Sequence, residues 1–120
     1  DKDLKIPKEL KVYDDSVKTI FINQKVTKSN ENLFFEKINF SKPIAYEICK
    51  VLFKHKVQSL IVEGGRKTIQ TFIDENLWDE ARVFSGQLTF NEGTKAPSLS
   101  VPFLNQENLM GDSLKTYIND

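Results

Sequence analysis

Residues 59–68 constrain the fold of this chain more than any other segment. Three consecutive apolar residues, 60–62, run into an acid, a pair of glycines and a segment of helix-like composition. Short apolar runs of this kind are typical of strands that are buried on both faces of a sheet. The pattern therefore predicts a buried strand, a tight turn at Gly64-Gly65 and a helix that starts at Arg66.

Such a turn is suited to bind a phosphate. Glycine has no Cβ, so the backbone can approach a ligand closely, and a helix start offers free N–H groups with a partial positive charge. We predict that Gly64 and Gly65 bind phosphate together with Arg66, Lys67 and Thr68, which fill the first turn. A simple tight turn would also explain the glycine pair, and Lys67 fits a solvated helix face equally well.

Glu63 directly follows the predicted strand. Open α/β sheets bind their ligands at the carboxyl ends of strands, so an acid at this point is a candidate functional residue. The alternative is that Glu63 only caps the helix that follows.

Further elements follow from hydrophobic periodicity and turn residues. Strands are predicted over residues 10–13, 18–22, 36–40 and 79–88, with a polar loop over 23–32. Helices are predicted over 42–54 and 66–75. A late hairpin joins 103–109 to 113–118 through a turn near Gly111-Asp112.

The helix over 42–54 carries the most explicit signals. Ser41 is the predicted cap and Pro43 falls in the first turn, where a missing N–H costs little. His55 is the predicted helix-end residue. The predicted core face consists of residues at helical spacing: Ile44, Ile48, Val51 and Leu52.

This order of strands and helices predicts an α/β fold with helices on both faces of a sheet. The sheet is expected to be mostly parallel in its middle, with antiparallel strands at the carboxyl-terminal edge.

Composition excludes several classes. At 120 residues the chain is expected to be a single domain, residues 1–120. Its 17 basic and 17 acidic side chains give no net charge, which argues against nucleic acid as the partner. No apolar run is long enough to span a bilayer. One cysteine and one histidine predict no disulfide, no zinc site and a reducing, cytoplasmic setting.

Several motifs together resemble one family, the reductase domain of the bifunctional deaminase–reductase of riboflavin biosynthesis. The resemblance is strongest over residues 60–83. Its motifs are the glycine pair after Val62-Glu63, Phe72 in the following helix, Leu77-Trp78-Asp79-Glu80 at a strand start, Gly93…Ala96-Pro97, and Asp1-Lys2-Asp3…Ile6-Pro7. The chain resembles the carboxyl-terminal portion of that domain, without its opening strands and without the zinc deaminase half.

The resemblance implies a three-layer α/β/α, dihydrofolate-reductase-like fold. It also implies that the parent protein reduces the ribose of 5-amino-6-(5-phosphoribosylamino)uracil with NADPH, beside a deaminase domain in the same chain. Glu63 would then be the catalytic residue, and its role would be to orient the nicotinamide or the substrate hydroxyls. The glycine turn would bind the cofactor pyrophosphate. Contacts to the 2′-phosphate, which set the preference between NADPH and NADH, could come from a strand end at residues 19–25, with no single residue singled out. In one departure, this chain has Ser85-Gly86-Gln87 where the family often has a proline.

Two alternatives stay open. The chain could belong to another dihydrofolate-reductase-like oxidoreductase, or it could be a non-catalytic nucleotide-binding fragment. Whichever function holds, a sheet without its opening strands would leave edges exposed, so a homodimer or higher oligomer is expected.

Overall fold

The structure is a computed structural model that describes residues 1–120. The chain folds as two compact units, residues 1–60 and residues 61–120. No helix is both long enough and apolar enough to cross a bilayer.

The first unit pairs a small sheet with one helix. Its strands are β1 (Thr19–Asn23), β2 (Lys28–Asn30) and β3 (Leu33–Lys37), followed by α1 (Ile44–Lys54). A single 3₁₀ turn, Lys11–Tyr13, precedes the strands. The sheet order is β1-β3-β2, with β1 parallel and β2 antiparallel to β3.

Helix α1 begins at Ile44, the first of the apolar residues that recur at helical spacing. Pro43 is the residue that precedes the first turn, and no side chain caps the helix, so the predicted cap by Ser41 is wrong. The Ser41 N–H instead bonds the Asn39 side chain at 2.9 Å, which holds Ser41 in the preceding turn. The predicted core face is confirmed, because its four residues are buried or half-buried.

The two faces of the first sheet differ in chemistry. Phe34 and Glu36 lie on the same face, and both contact His55 at the end of α1. The opposite face carries a cluster of rings: Phe21 stacks on Phe35 with 4.8 Å between centroids, and Tyr13 lies 4.5 Å from Phe21. The rings of β1 and β3 meet because Phe21 and Phe35 are register partners.

The second unit contains α2 (Arg66–Asp74) and the strands β4 (Glu80–Ser85), β5 (Asn105–Leu109) and β6 (Asp112–Ile118). Its sheet is antiparallel throughout, in the order β4-β6-β5. Phe72 of α2 is the buried apolar residue of the second unit, with 5% of its surface exposed. Asn119 closes the unit, since its backbone N–H bonds the Asp79 carbonyl and its side chain bonds the Trp78 carbonyl.

The late hairpin is confirmed. Leu109 pairs with Asp112 across a two-residue turn, in which Met110 has φ 53° and Gly111 has φ 96°. Two positive φ values define the tight turn whose twist matches that of an antiparallel ribbon.

The strand predicted over residues 60–62 is wrong. Neither sheet includes these residues, and Leu60 and Ile61 are 48% and 84% exposed. An apolar run becomes a buried strand only where neighbours supply hydrogen bonds on both sides, and this chain offers no partner strand there.

Three smaller corrections concern the first unit. A 3₁₀ turn, Lys11–Tyr13, takes the place of the strand predicted over residues 10–13, and β2 lies inside the predicted loop 23–32. Strand β3 starts at Leu33, three residues before the predicted 36–40. Its register with β1 explains the shift, because Leu33 pairs with Thr19 and places Phe35 beside Phe21.

The predicted mixed α/β character is confirmed, and so are the antiparallel late strands. In place of one mostly parallel sheet, the chain forms two small sheets with a single parallel pair, β1–β3. The three-layer arrangement stays a prediction.

Candidate functional site

The glycine turn of the second unit is open, as a phosphate-binding turn must be. Gly64 has φ +125°, a conformation that favours glycine. A Cβ built on Gly64 or on Gly65 would meet no heavy atom within 4 Å, so the space in front of the turn is clear.

Helix α2 begins immediately after this turn. Gly65 is its capping residue and has no side chain to bond the free N–H groups. The Thr68 N–H bonds the Gly65 carbonyl at 3.0 Å, whereas the N–H groups of Arg66 and Lys67 precede any possible helical acceptor. The first turn therefore presents two free donors and the positive end of the helix dipole.

The six predicted site residues, Glu63 through Thr68, are consecutive and all exposed. Glu63 does not cap α2, because no side-chain bond caps that helix. The absence of the strand over residues 60–62 removes the reason for placing Glu63 at a strand end, so its catalytic role stays a prediction. Arg66 and Lys67 add positive charge beside the free N–H groups.

A second candidate surface, which we call the polar cleft, lies in the first unit. It has a volume of about 600 Å³ and is lined mainly by polar side chains: Lys2, Gln24, Thr27, Lys37, Asn39 and Ser41. Gln24 directly follows β1 and Lys37 ends β3, so the cleft lies at the carboxyl ends of the parallel pair. That is where ligands bind in open α/β sheets.

The polar cleft is positively charged. Lys2 and Lys37 take part in none of the chain's ion pairs, and the Lys2 ammonium lies 5.4 Å from the centroid of the Phe40 ring. The whole first unit is cationic, with twelve lysines against eight carboxylates in residues 1–60. Sequence reasoning named residues 19–25 for phosphate contacts and thereby reached Gln24, but it missed Lys2 and Lys37. Lys37 reaches the cleft at the end of β3, and Lys2 is held there because its carbonyl accepts the Gln24 N–H at 3.0 Å. The sequence reveals neither contact.

Asn23 shapes the strand end beside this cleft. It is fully buried, and its side-chain amide donates to the carbonyls of Phe21, Val26 and Glu36 at 3.0–3.3 Å. Its side-chain oxygen accepts the N–H groups of Lys25 and Val26 at 2.8 Å. These five bonds fix the turn after β1 and with it the position of Gln24.

Sequence reasoning also missed a polar cluster at the other end of α1. Glu36, 7% exposed, accepts hydrogen bonds from the Lys54 ammonium at 2.8 and 2.9 Å and lies 2.7 Å from Nε2 of His55. Burial raises the pKa of the Glu36 carboxyl, but the hydrogen bonds and charges of Lys54 and His55 outweigh burial and hold that pKa below its ordinary value. His55 is confirmed as the helix-end residue. We interpret the cluster as an anchor, since its carboxylate and imidazole are both shielded from solvent.

No group of three or more His, Cys, Asp or Glu side chains is arranged to hold a metal ion.

Comparison with known proteins rests on structure. No protein-family model matches the sequence, and no curated protein matches it either. Among solved structures, the fold is similar to that of a protein from Shewanella sp. PV-4 described as a "putative riboflavin biosynthesis protein". The TM-score is 0.59 at 19% sequence identity, and the match covers 88% of this chain and 62% of the other. At this identity the likeness establishes a shared fold, of the kind found in a riboflavin-biosynthesis protein, and the chain spans less than two thirds of its neighbour.

Proposed function

We propose that this chain is the carboxyl-terminal portion of an NADPH-dependent reductase of riboflavin biosynthesis. The parent protein would reduce the ribosyl group of 5-amino-6-(5-phosphoribosylamino)uracil to the ribityl form. The observation that carries the proposal is the open Gly64-Gly65 turn at the start of α2. Its support is the fold shared with the Shewanella protein.

Reduction by a nicotinamide needs positioning above all. When bound, NADPH would supply the hydride that reduces the opened ribosyl group, and a proton from a donor or water would complete the product. The protein must therefore hold the cofactor firmly through parts that do not react. In this proposal the free N–H groups of Arg66 and Lys67 bind the pyrophosphate, and Glu63 orients the nicotinamide or the substrate hydroxyls.

The polar cleft supports a preference for NADPH over NADH. The two coenzymes differ by the 2′-phosphate, which calls for unpaired positive charge and hydrogen-bond donors. Lys2 and Lys37 supply that charge, and the Thr27 hydroxyl lies beside them as a polar partner, whereas the Gln24 amide donates to the Asp3 carboxylate. The cleft is therefore proposed as a phosphate site within the first unit, and NADPH binding there is an alternative to binding at the glycine turn of the second unit.

The first test is NADPH binding to the purified chain by calorimetry, with Gly65→Asp and Gly65→Asn as a matched pair. Gly65 has φ −68°, which any residue adopts, and open space around it, so both variants should fold. Asp and Asn are also equally good helix caps. They differ in the one charge that would repel a pyrophosphate.

We expect Gly65→Asp to abolish NADPH binding and Gly65→Asn to weaken it less, because the asparagine side chain is neutral. Equal binding by both variants and the wild type would exclude the glycine turn as a cofactor site. Failure of the wild-type chain to bind NADPH would reject cofactor binding by this portion alone. Glu63→Gln in the parent enzyme tests the proposed orienting role of Glu63. Unchanged turnover would show that Glu63 has no part in the reaction.

A further inference from the structure

The face of the first sheet that lies opposite α1 contains a second cavity, which we call the aromatic pocket. It has a volume of about 310 Å³, and its lining includes Tyr13, Leu33, Phe35, Lys8 and Lys28. None of these residues lines the polar cleft. Leu33 opens β3, so this pocket reaches toward the amino end of that strand, whereas the polar cleft lies at its carboxyl end.

The floor of the aromatic pocket is apolar and fixed by stacking. Phe35 stacks on buried Phe21 with the ring planes 9° apart, and Tyr13 lies against the same pair. Leu33 is itself buried. A flat apolar group placed here would therefore contact a surface that is already ordered, which lowers the entropic cost of binding.

The rim of the pocket is cationic. The Lys28 ammonium lies 4.8 Å from the centroid of the Phe35 ring, because Lys28 is the register partner of Phe35 on the edge strand β2. Neither Lys28 nor Lys8 takes part in an ion pair of the chain. Ser29 and Asn30 of β2 add exposed polar groups to the same rim.

The pocket thus combines an apolar floor with the unpaired ammonium groups of Lys8 and Lys28, so its ligand needs both an apolar part and a negative charge. A flat hydrophobic body suits the rings and Leu33, and an anionic group attached to it suits the lysines. We propose that the aromatic pocket is a binding site for a small aromatic molecule carrying a phosphate or a carboxylate. This site goes beyond the proposed reductase function and does not depend on it, because it uses neither the glycine turn nor the polar cleft.

The test is a titration of the isotope-labelled chain followed by amide resonances in NMR spectra. Phenyl phosphate and benzoate are the probes. Inorganic phosphate provides the charge without the ring, and benzylamine provides the ring with the opposite charge. We expect the probes to shift resonances of β2, Leu33 and Phe35 with a dissociation constant on the order of 1 mM, and both control compounds to leave them unchanged. The stronger of the two probes identifies the preferred anion.

Two variants test whether the probes bind at the aromatic pocket. Lys28→Gln is expected to weaken probe binding roughly five- to tenfold, since it removes a charged partner of the anion. Lys115→Gln is the matched control, because Lys115 also lies over a ring, that of Phe103 at 5.0 Å, in the second unit. Lys115→Gln should bind as the wild type does. Undiminished binding by Lys28→Gln, equal shifts with inorganic phosphate, or shifts confined to other residues would each overturn the proposal.

Discussion

The Glu36 carboxylate lies 2.7 Å from Nε2 of His55, which joins β3 to the last turn of α1. Lys54 adds two hydrogen bonds to the same carboxylate, and the Lys18 ammonium donates to the His55 carbonyl at 3.2 Å. The buried Glu36 carboxylate thus contacts both of the side chains at the end of α1, Lys54 and His55.

Glu36→Gln is expected to destabilise the protein by about 1–3 kcal/mol, because the amide cannot accept all of these hydrogen bonds and the neutral group no longer compensates Lys54. The measurement is the free energy of unfolding in urea. Glu80→Gln is the control, since Glu80 is exposed and forms an ion pair with the exposed Arg82 at 2.6 Å. Such a pair contributes roughly 0.5 kcal/mol. Equal losses for the two variants would mean that Glu36 is no more than a surface partner.

The same carboxylate makes stability depend on pH. Its pKa is lowered in the folded state because the bonds and charges of Lys54 and His55 outweigh the opposing effect of burial. Glu36 therefore contributes stability fully above the ordinary glutamate pKa of about 4.3, and loses that contribution as pH falls through its lower folded-state pKa. Urea titrations at a series of pH values from neutral to acidic should show the wild type converging on Glu36→Gln at the acid end. A constant gap between the two proteins at every pH would contradict this assignment.

Asn23 is expected to be the most sensitive polar residue of the first unit. Asn23→Ala leaves three buried carbonyls and two N–H groups without their partner, for a loss of about 2–3 kcal/mol in unfolding free energy. Asn23→Asp should be at least as severe, because the carboxylate keeps the acceptor but places a charge against three carbonyl oxygens. Urea unfolding of both variants tests this order. A milder effect for Asp than for Ala would show that the three donated bonds matter little.

Local signals in the sequence were sufficient for the elements that local physics determines. Helix α2, most of α1 and the late hairpin follow from apolar periodicity, a glycine pair and a turn glycine, and all three are present. The strand over residues 60–62 failed because strand formation depends on partners elsewhere in the chain. An apolar run carries no information about whether such partners exist.

The same distinction holds for the candidate sites. Six consecutive residues around Gly64-Gly65 could be proposed from sequence because a glycine pair before a helix is a local pattern, and their binding role stays a prediction. Lys2 and Lys37 could not be named, since they are 35 positions apart and reach the same cleft only through the β1–β3 pairing and the bond from the Gln24 N–H to the Lys2 carbonyl. The partnership of Glu36 with His55 was equally hidden, because the two lie 19 positions apart on different elements.

The turn at Met110-Gly111 offers a stabilising substitution. Met110 is fully exposed and has φ 53°, a conformation that asparagine tolerates better than methionine. Met110→Asn is expected to raise the unfolding free energy by about 0.5 kcal/mol. Gly111→Ala should lower it, because Gly111 has φ +96°, a conformation that strains any residue with a Cβ. Thermal unfolding of the two variants should give opposite shifts, and a gain from Gly111→Ala would contradict the turn geometry.

The polar cleft predicts a coenzyme preference that one substitution should change. If the unpaired lysines bind the 2′-phosphate, Lys37→Gln should weaken NADPH binding roughly tenfold and leave NADH binding unaltered, since NADH lacks that phosphate. Added salt should reduce the NADPH affinity of the wild type more than that of the variant, because an exposed charge pair is screened. Lys56→Gln is the control, since Lys56 is exposed and lies beyond the other end of α1. Calorimetry with both coenzymes gives the four affinities needed. A parallel loss of NADPH and NADH binding in Lys37→Gln would show that Lys37 acts on the fold or on a shared part of the cofactor, and the 2′-phosphate assignment would then be wrong.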